Sequence, residues 1–161
     1  MKSIAKIITK FSRALDKVAG FFYMAMLILV ACNVVMRKVF KSPISGTIEL
    51  VEIFSAVAAG LAIAYCAVKG GHIAIEFVIE YFPERFQRIV GIFTTTITIV
   101  TVTVSGWMIV EYANTLRVTG RYTGSLKIAY YPFVYLVAIG FFAFALVEIV
   151  KIFVPNMNEE V

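Results

Sequence analysis

The sequence predicts an all-α integral membrane protein with four transmembrane helices, and composition and charge distribution are the first observations behind that prediction. Of the 161 residues, 61% are hydrophobic and 16% are charged. A typical soluble domain is roughly 45–50% apolar, so one soluble core of this size could not bury the excess. The charged residues lie in short clusters between long uncharged stretches. Both observations exclude a water-soluble globular enzyme.

Four stretches are long and apolar enough to cross a bilayer, which takes about 20 residues of helix. They cover residues 18–36, 48–68, 89–110 and 131–154. A transmembrane β-barrel needs strands of about ten residues with alternating polarity, whereas these runs are continuous. Because only short loops and tails remain, we expect a single four-helix membrane domain over residues 1–161.

The segment before the first span is basic and amphipathic. Its apolar side chains recur at spacings of three and four, which predicts an interfacial helix over residues 3–17 on the cytoplasmic membrane surface; the alternative is a disordered basic tail. The apolar run that follows lacks a small-x-small cleavage site, so we expect a retained helix and not a signal peptide. The basic side chains that would face anionic phospholipid headgroups are Lys6, Lys10, Arg13 and Lys17.

A second interfacial helix is predicted after the second span. Gly70 and Gly71 interrupt the helix there, and residues 72–82 are too few to cross the membrane before Pro83 ends the segment. His72 is the single histidine of the chain. We expect it to be an interfacial residue that orients the Gly70-Gly71 break; the alternative is a proton relay.

The distribution of Lys and Arg predicts the orientation in the membrane. With four spans, both termini and the second loop share one side, which carries nine of these residues against six on the other side. The positive-inside rule therefore favours cytoplasmic N- and C-termini. Because the basic residues lie at membrane edges and form no single binding face, we expect no nucleic-acid partner.

Two acidic residues stand at the start of the second span. At 100° per residue they share one narrow stripe with small residues, and small residues allow another helix to approach closely. We expect Arg37 to pair with one of the acids, although coupling-ion binding is an alternative. Asn33 and Arg37, one turn apart, are expected to anchor the end of the first span. The predicted stripe, which packs either within the chain or against another subunit, comprises Glu49, Glu52, Ala56 and Gly60.

The third span is rich in hydroxyl side chains. Such groups can bond to a carbonyl of the preceding turn, so a bilayer tolerates them without a ligand. Four of them share a face that we interpret as a helix-packing surface, with a polar substrate path as the alternative. These residues are Thr94, Thr98, Thr101 and Ser105.

The chain has none of the residue patterns that catalysis or self-sufficient transport requires. One histidine and two separate cysteines provide no catalytic or metal-binding cluster, so we expect neither enzyme activity nor a cofactor. A complete transporter usually has broken helices, a repeated half or central ionisable residues, and the spans show none of these. An accessory membrane subunit fits this pattern better than a permeation pathway.

Several motifs in a fixed order resemble a known family. They are Asn33-Val-Val-Met-Arg37-Lys-Val-Phe40, Pro43-Ile44, Gly46-Thr-Ile-Glu49-Leu50, Gly60 within its helix and Gly70-Gly71-His72-Ile73. The chain is similar to the DctQ-type small membrane subunit of tripartite ATP-independent periplasmic (TRAP) transporters. The resemblance implies a multi-pass protein of the bacterial inner membrane that acts as a scaffold. It also implies a large membrane subunit that binds Na⁺ and substrate and moves as an elevator, and a periplasmic solute-binding protein that delivers an organic acid.

Two other classes of protein remain as alternatives. A small proton-coupled multidrug exporter also has four spans, but it places an acid in the middle of its first helix, and the first span here has none. A stand-alone membrane adaptor or assembly protein is the other alternative, since scaffolding leaves little chemical signature.

Overall fold

The computed structural model describes residues 2–69 and 84–153, which form four helices. All four are long and apolar enough to cross a membrane. The described part of the chain contains no strand, and a single bridge joins Tyr122 to Ala129. The predicted all-α class with four spanning helices is therefore confirmed. The helices are α1 (Lys2–Val39), α2 (Thr47–Val68), α3 (Glu84–Thr119) and α4 (Tyr131–Phe153).

Helix α1 corrects one expectation from the sequence. Residues 3–17 do not form a separate interfacial helix, because α1 continues through Val18 into the first span without interruption. No proline lies in this stretch, and Gly20 has open space around it, so nothing forces a bend. The 38 residues of α1 correspond to a length of about 57 Å at 1.5 Å per residue. A hydrocarbon core is about 30 Å thick, so α1 extends beyond it or is strongly tilted.

Helix α3 also exceeds its expected boundaries of 89 and 110. It begins at Glu84 and ends at Thr119. Gly120 then adopts a left-handed conformation (φ 60°), and the Arg121 N–H donates to the Leu116 carbonyl at 3.2 Å. This is the hydrogen bond of a Schellman C-cap, which ends a helix with a glycine. The expected helix at 72–82 lies outside the described residues.

Helices α2 and α4 occupy the centre of the bundle. Helix α1 packs on α2, α2 packs on α4, and α3 packs on the other side of α4, while α1 makes a smaller contact with α4. Of the apolar windows of α2 and α4, 44% and 39% are buried, against 6% and 11% in α1 and α3. The central pair therefore forms the core, and the outer pair presents apolar side chains to the surroundings.

The closest helix contact is between α2 and α4, where two glycines meet. A Cβ atom added to Gly60 would lie 2.9 Å from Val137 Cγ1 and 3.1 Å from Val137 Cα. A Cβ atom added to Gly140 would overlap the carbonyl oxygen and carbon of Gly60. Both positions therefore require glycine for packing reasons. The contact has the character of small-residue interfaces in membranes, where the approach of backbones increases dispersion contacts.

Replacing Gly140 by leucine should separate α2 from α4. The new side chain would meet the α2 backbone. We therefore expect the free energy of unfolding to fall by at least about 1–3 kcal/mol, the usual cost of overpacking a core. Thermal unfolding of the protein in detergent measures this change. Gly91→Leu is the matched control, since nothing lies within 4 Å of a Cβ at Gly91. Equal unfolding temperatures for the two variants would contradict the assigned contact.

Candidate functional site

The α1–α2 loop is held against the end of α1 by Asn33. The Asn33 Oδ1 atom accepts a hydrogen bond from the Ile44 N–H at 2.9 Å, and Thr47 Oγ1 donates to the Ile44 carbonyl at 2.7 Å. Gly46, at the N-cap of α2, has φ 78°, a conformation that L side chains rarely adopt. Asn33 is thus an anchor, but its partner is the loop backbone.

Glu49 connects the two loops at this end of the bundle. Its Oε1 accepts the Ser125 N–H at 2.8 Å, and its Oε2 accepts the Leu126 N–H at 3.3 Å. Leu126 also packs against Gly46, where an added Cβ would lie 2.5 Å from Leu126 Cγ. A carboxylate that accepts backbone N–H groups forms a strong, charge-assisted hydrogen bond. Residues 40–46 and 120–130 therefore form one connected surface, which we call the loop platform.

The α3–α4 loop has its own internal hydrogen bonds. The Thr123 N–H donates to the Ile128 carbonyl at 2.9 Å, and Thr123 Oγ1 accepts the Ile128 N–H at 2.9 Å. Thr123 is 3% exposed, although it is polar and lies in a loop. The tight turn presents the Ser125 and Leu126 amides to Glu49. Tyr135 Oη adds a link between α3 and α4 by donating to Asn114 Oδ1 at 2.5 Å.

Two lysines of the loop platform have left-handed backbones. Lys41 and Lys127 both have φ 53°. For an L residue other than glycine this conformation costs roughly 1–2 kcal/mol. It persists only where surrounding contacts stabilise it, and such positions are concentrated at functional sites.

The expected ion pair between Arg37 and an acid of α2 is not formed. Arg37 and Glu49 line the same open cavity of about 630 Å³, together with Asn33 and Ser125. Within residues 2–69 and 84–153 the salt bridge joins Lys151 Nζ to Glu148 Oε1 at 3.4 Å, and Arg37 has none. The two loop amides already satisfy the Glu49 carboxylate, which explains the difference.

The residues of the predicted stripe on α2 lie in two different environments. Gly60 is buried at the contact with α4, whereas Glu52 and Ala56 are exposed. Glu52 and Ala56 line an apolar cleft of about 160 Å³ between α2 and α4, beside Phe133 and Val137. Only the Gly60 end of the stripe is therefore an internal helix contact in this chain.

The hydroxyl face of α3 contributes less to packing than the sequence suggests. Thr94, Thr98 and Ser105 are half-buried, whereas Thr101 is exposed, so its place in a packing face stays a prediction. The buried positions are Val102, Gly106, Ala113 and Leu116. A Cβ atom at Gly106 would lie 3.4 Å from Phe141 and Phe142 of α4. Thr96 Oγ1 donates to the Ile92 carbonyl at 2.8 Å, which is the expected bond within the helix.

The basic residues predicted to face phospholipid headgroups lie at the opposite end of the bundle. Lys6, Lys10, Arg13 and Lys17 are exposed along α1. His72 lies outside the described residues. Among the residues that the structure describes, no group of three or more His, Cys, Asp or Glu side chains could hold a metal ion.

Gly140 and Thr123 were not among the residues predicted from the sequence. Gly140 had a usable signal, because a glycine inside an apolar span often marks a close helix approach. Thr123 had none, because a threonine in a polar loop is ordinarily exposed. Its burial depends on a turn whose register only the tertiary structure defines.

Four apolar helices, with loops joined by hydrogen bonds, define a multi-pass membrane protein. A comparison with known families identifies its family. Residues 26–155 match the family model DctQ, described as "Tripartite ATP-independent periplasmic transporters, DctQ component". The chain belongs to the DctQ family, the small membrane component of TRAP transporters. The tripartite family implies a large membrane subunit and a periplasmic binding protein as partners. No curated protein and no solved structure gives a significant match.

Replacing Glu49 by glutamine should loosen the α3–α4 loop. Glutamine retains one acceptor oxygen and loses the charge, so one of the two amide bonds to Ser125 and Leu126 is lost and the other weakens. We expect faster hydrogen exchange of these two amides. Glu52→Gln is the control, because Glu52 makes no side-chain hydrogen bond to the loop. Unchanged exchange in the Glu49 variant would show that the carboxylate does not hold the loop.

Proposed function

We propose that this chain is the static scaffold of a TRAP transporter of the bacterial inner membrane. The partner large subunit would bind Na⁺ and substrate and move as an elevator, while a periplasmic binding protein would deliver an organic acid. This chain would hold no cofactor of its own. Both termini would lie in the cytoplasm, where Lys6, Lys10, Arg13 and Lys17 would contact anionic phospholipids.

The main support for this proposal is the close packing of α2 against α4. Gly60 and Gly140 bring the two backbones together, so no polar passage runs between the central helices. In α2, α3 and α4 the charged side chains lie towards the helix ends, as Glu49 and Glu148 do, whereas Asp16 and Lys17 of the longer α1 precede its apolar run at 18–36. A group that couples ion binding to movement would normally lie inside the membrane. Coupling and permeation are therefore assigned to the partner.

The outward face of α2 is the surface that best suits a partner helix. Apart from Ile48 at the start of the helix, its exposed residues are small or polar, and on α2 they share one side at 100° per residue. By contrast, α1 and α3 expose large apolar side chains such as Phe21, Ile28, Phe93 and Trp107, which suit lipid. The exposed α2 residues that follow Ile48 are Glu52, Ser55, Ala56, Ala59 and Cys66.

A groove beside this face increases the area available to a partner. It lies between α1 and α2 and has a volume of about 560 Å³; besides Asp16 and Tyr23, its lining consists of small residues that include Gly20, Ser55 and Ala59. Small residues permit the close backbone approach on which helix association in membranes depends. We therefore assign the outward α2 face as the contact with the large subunit.

Ala59→Leu tests this assignment without disturbing the core, because Ala59 is exposed. The larger side chain would fill the groove, so we expect the large subunit to co-purify at a reduced yield, with uptake reduced in parallel. Membrane insertion and the unfolding temperature of the isolated subunit should not change.

Val104→Leu is the matched control, since Val104 is 53% exposed on α3. We expect full co-purification for this variant. Equal yields for the two variants would overturn the α2 assignment. Failure of the unaltered chain to co-purify with the large subunit would overturn the scaffold proposal itself.

A further inference from the structure

The loop platform and the adjoining helix ends carry a net positive charge. All the Lys and Arg residues there are exposed, and none of them forms an ion pair within the described ranges 2–69 and 84–153. Glu49 lines the same cavity as Arg37, yet its oxygens accept the Ser125 and Leu126 amides. The basic residues are Arg37, Lys38, Lys41, Arg117, Arg121 and Lys127.

These cations lie on a surface whose backbone is held in place by hydrogen bonds before any partner binds. Asn33 holds the first loop through Ile44, and Glu49 ties the first loop to the second. Lys41 and Lys127 keep left-handed backbones within this arrangement. A surface whose backbone is already ordered loses less conformational entropy when a partner binds.

The surface is also concave at its centre. The cavity of about 630 Å³ is lined by Arg37, Asn33, Pro43, Ser125 and neighbouring residues of α2. An acidic side chain that projects from a protein surface could enter such a cavity and approach the guanidinium of Arg37. Arginine suits this role because its planar group can bind a carboxylate with two parallel hydrogen bonds.

We propose that the loop platform docks an acidic face of the periplasmic binding protein. The inference rests on the proposed function, since it requires that this end of the bundle face the periplasm. Opposite charges on two surfaces accelerate their encounter and define their relative orientation. A lipid surface is the weaker candidate, because headgroups do not require ordered loops.

Neutralising four of the cations tests the docking. The variant Arg37→Gln, Lys38→Gln, Arg117→Gln and Arg121→Gln leaves Asn33 and Glu49 unchanged. The complex of small and large subunits, in nanodiscs of zwitterionic lipid, is titrated with the binding protein at low and high salt. We expect the Kd at low salt to rise about tenfold or more, and its dependence on salt to become weaker.

Neutralisation at the other end of α1 is the matched control. Lys6→Gln, Lys10→Gln, Arg13→Gln and Lys17→Gln remove the same charge from the same chain and should leave the Kd unchanged. Co-purification with the large subunit is measured for both variants and should be retained. Loss of binding by the first variant alone, with an intact complex, supports the docking surface.

Three results would overturn the inference. The first is an unchanged Kd in a complex that still co-purifies, which would contradict the docking surface and leave the scaffold proposal intact. The second is an equal loss of binding in both variants, which would indicate a general charge effect. The third is normal binding of the protein partner together with weaker retention of the first variant on vesicles of anionic lipid, which would assign the cations to headgroups.

Discussion

The close contact between α2 and α4 determines where the other parts of the bundle lie. Inside a bilayer, lipid tails are as apolar as leucine, so burial from water does not drive helices together. Dispersion contacts at short range have to do so, and Gly60 and Gly140 allow them by removing the side chains that would separate the backbones. Helix α1 then packs on the free side of α2, and α3 packs on α4.

This contact also brings the two loops together at one end. Because α2 and α4 meet along their length, the start of α2 lies next to the loop that precedes α4. Glu49 can then reach the Ser125 and Leu126 amides and hold both loops in one surface. The Glu49 carboxylate accepts hydrogen bonds from backbone amides, so the guanidinium of Arg37 has no ion-pair partner in the described chain. The close packing of α2 on α4 therefore also produces an ordered, charged surface at this end of the bundle.

Several features were predictable from the sequence because they depend on local properties. The four spans follow from the length of uncharged apolar runs, and α2 and α4 lie within one residue of the expected 48–68 and 131–154. Asn33 and Gly60 stood out because polar and small residues in spans usually meet protein. The continuous α1 was not foreseen, because an amphipathic pattern is equally compatible with a separate surface helix or an extension of the span.

Side-chain partners were not predictable, since they depend on which elements become neighbours. Glu49 and Arg37 are close in the sequence and opposite in charge, yet the amides of a loop 76 residues away bind the carboxylate. Thr101 belongs to the hydroxyl stripe by its spacing, but the rotation of α3 against α4 leaves it exposed.

The sequence by itself determined the number of spans, the helical class and membership of the DctQ family. The tertiary structure decided which side of each helix packs within the chain and which side is exposed to the apolar surroundings. The physical reason is that both surroundings are apolar, so hydropathy does not distinguish them. Side-chain size, helix register and the position of a few backbone amides make that distinction.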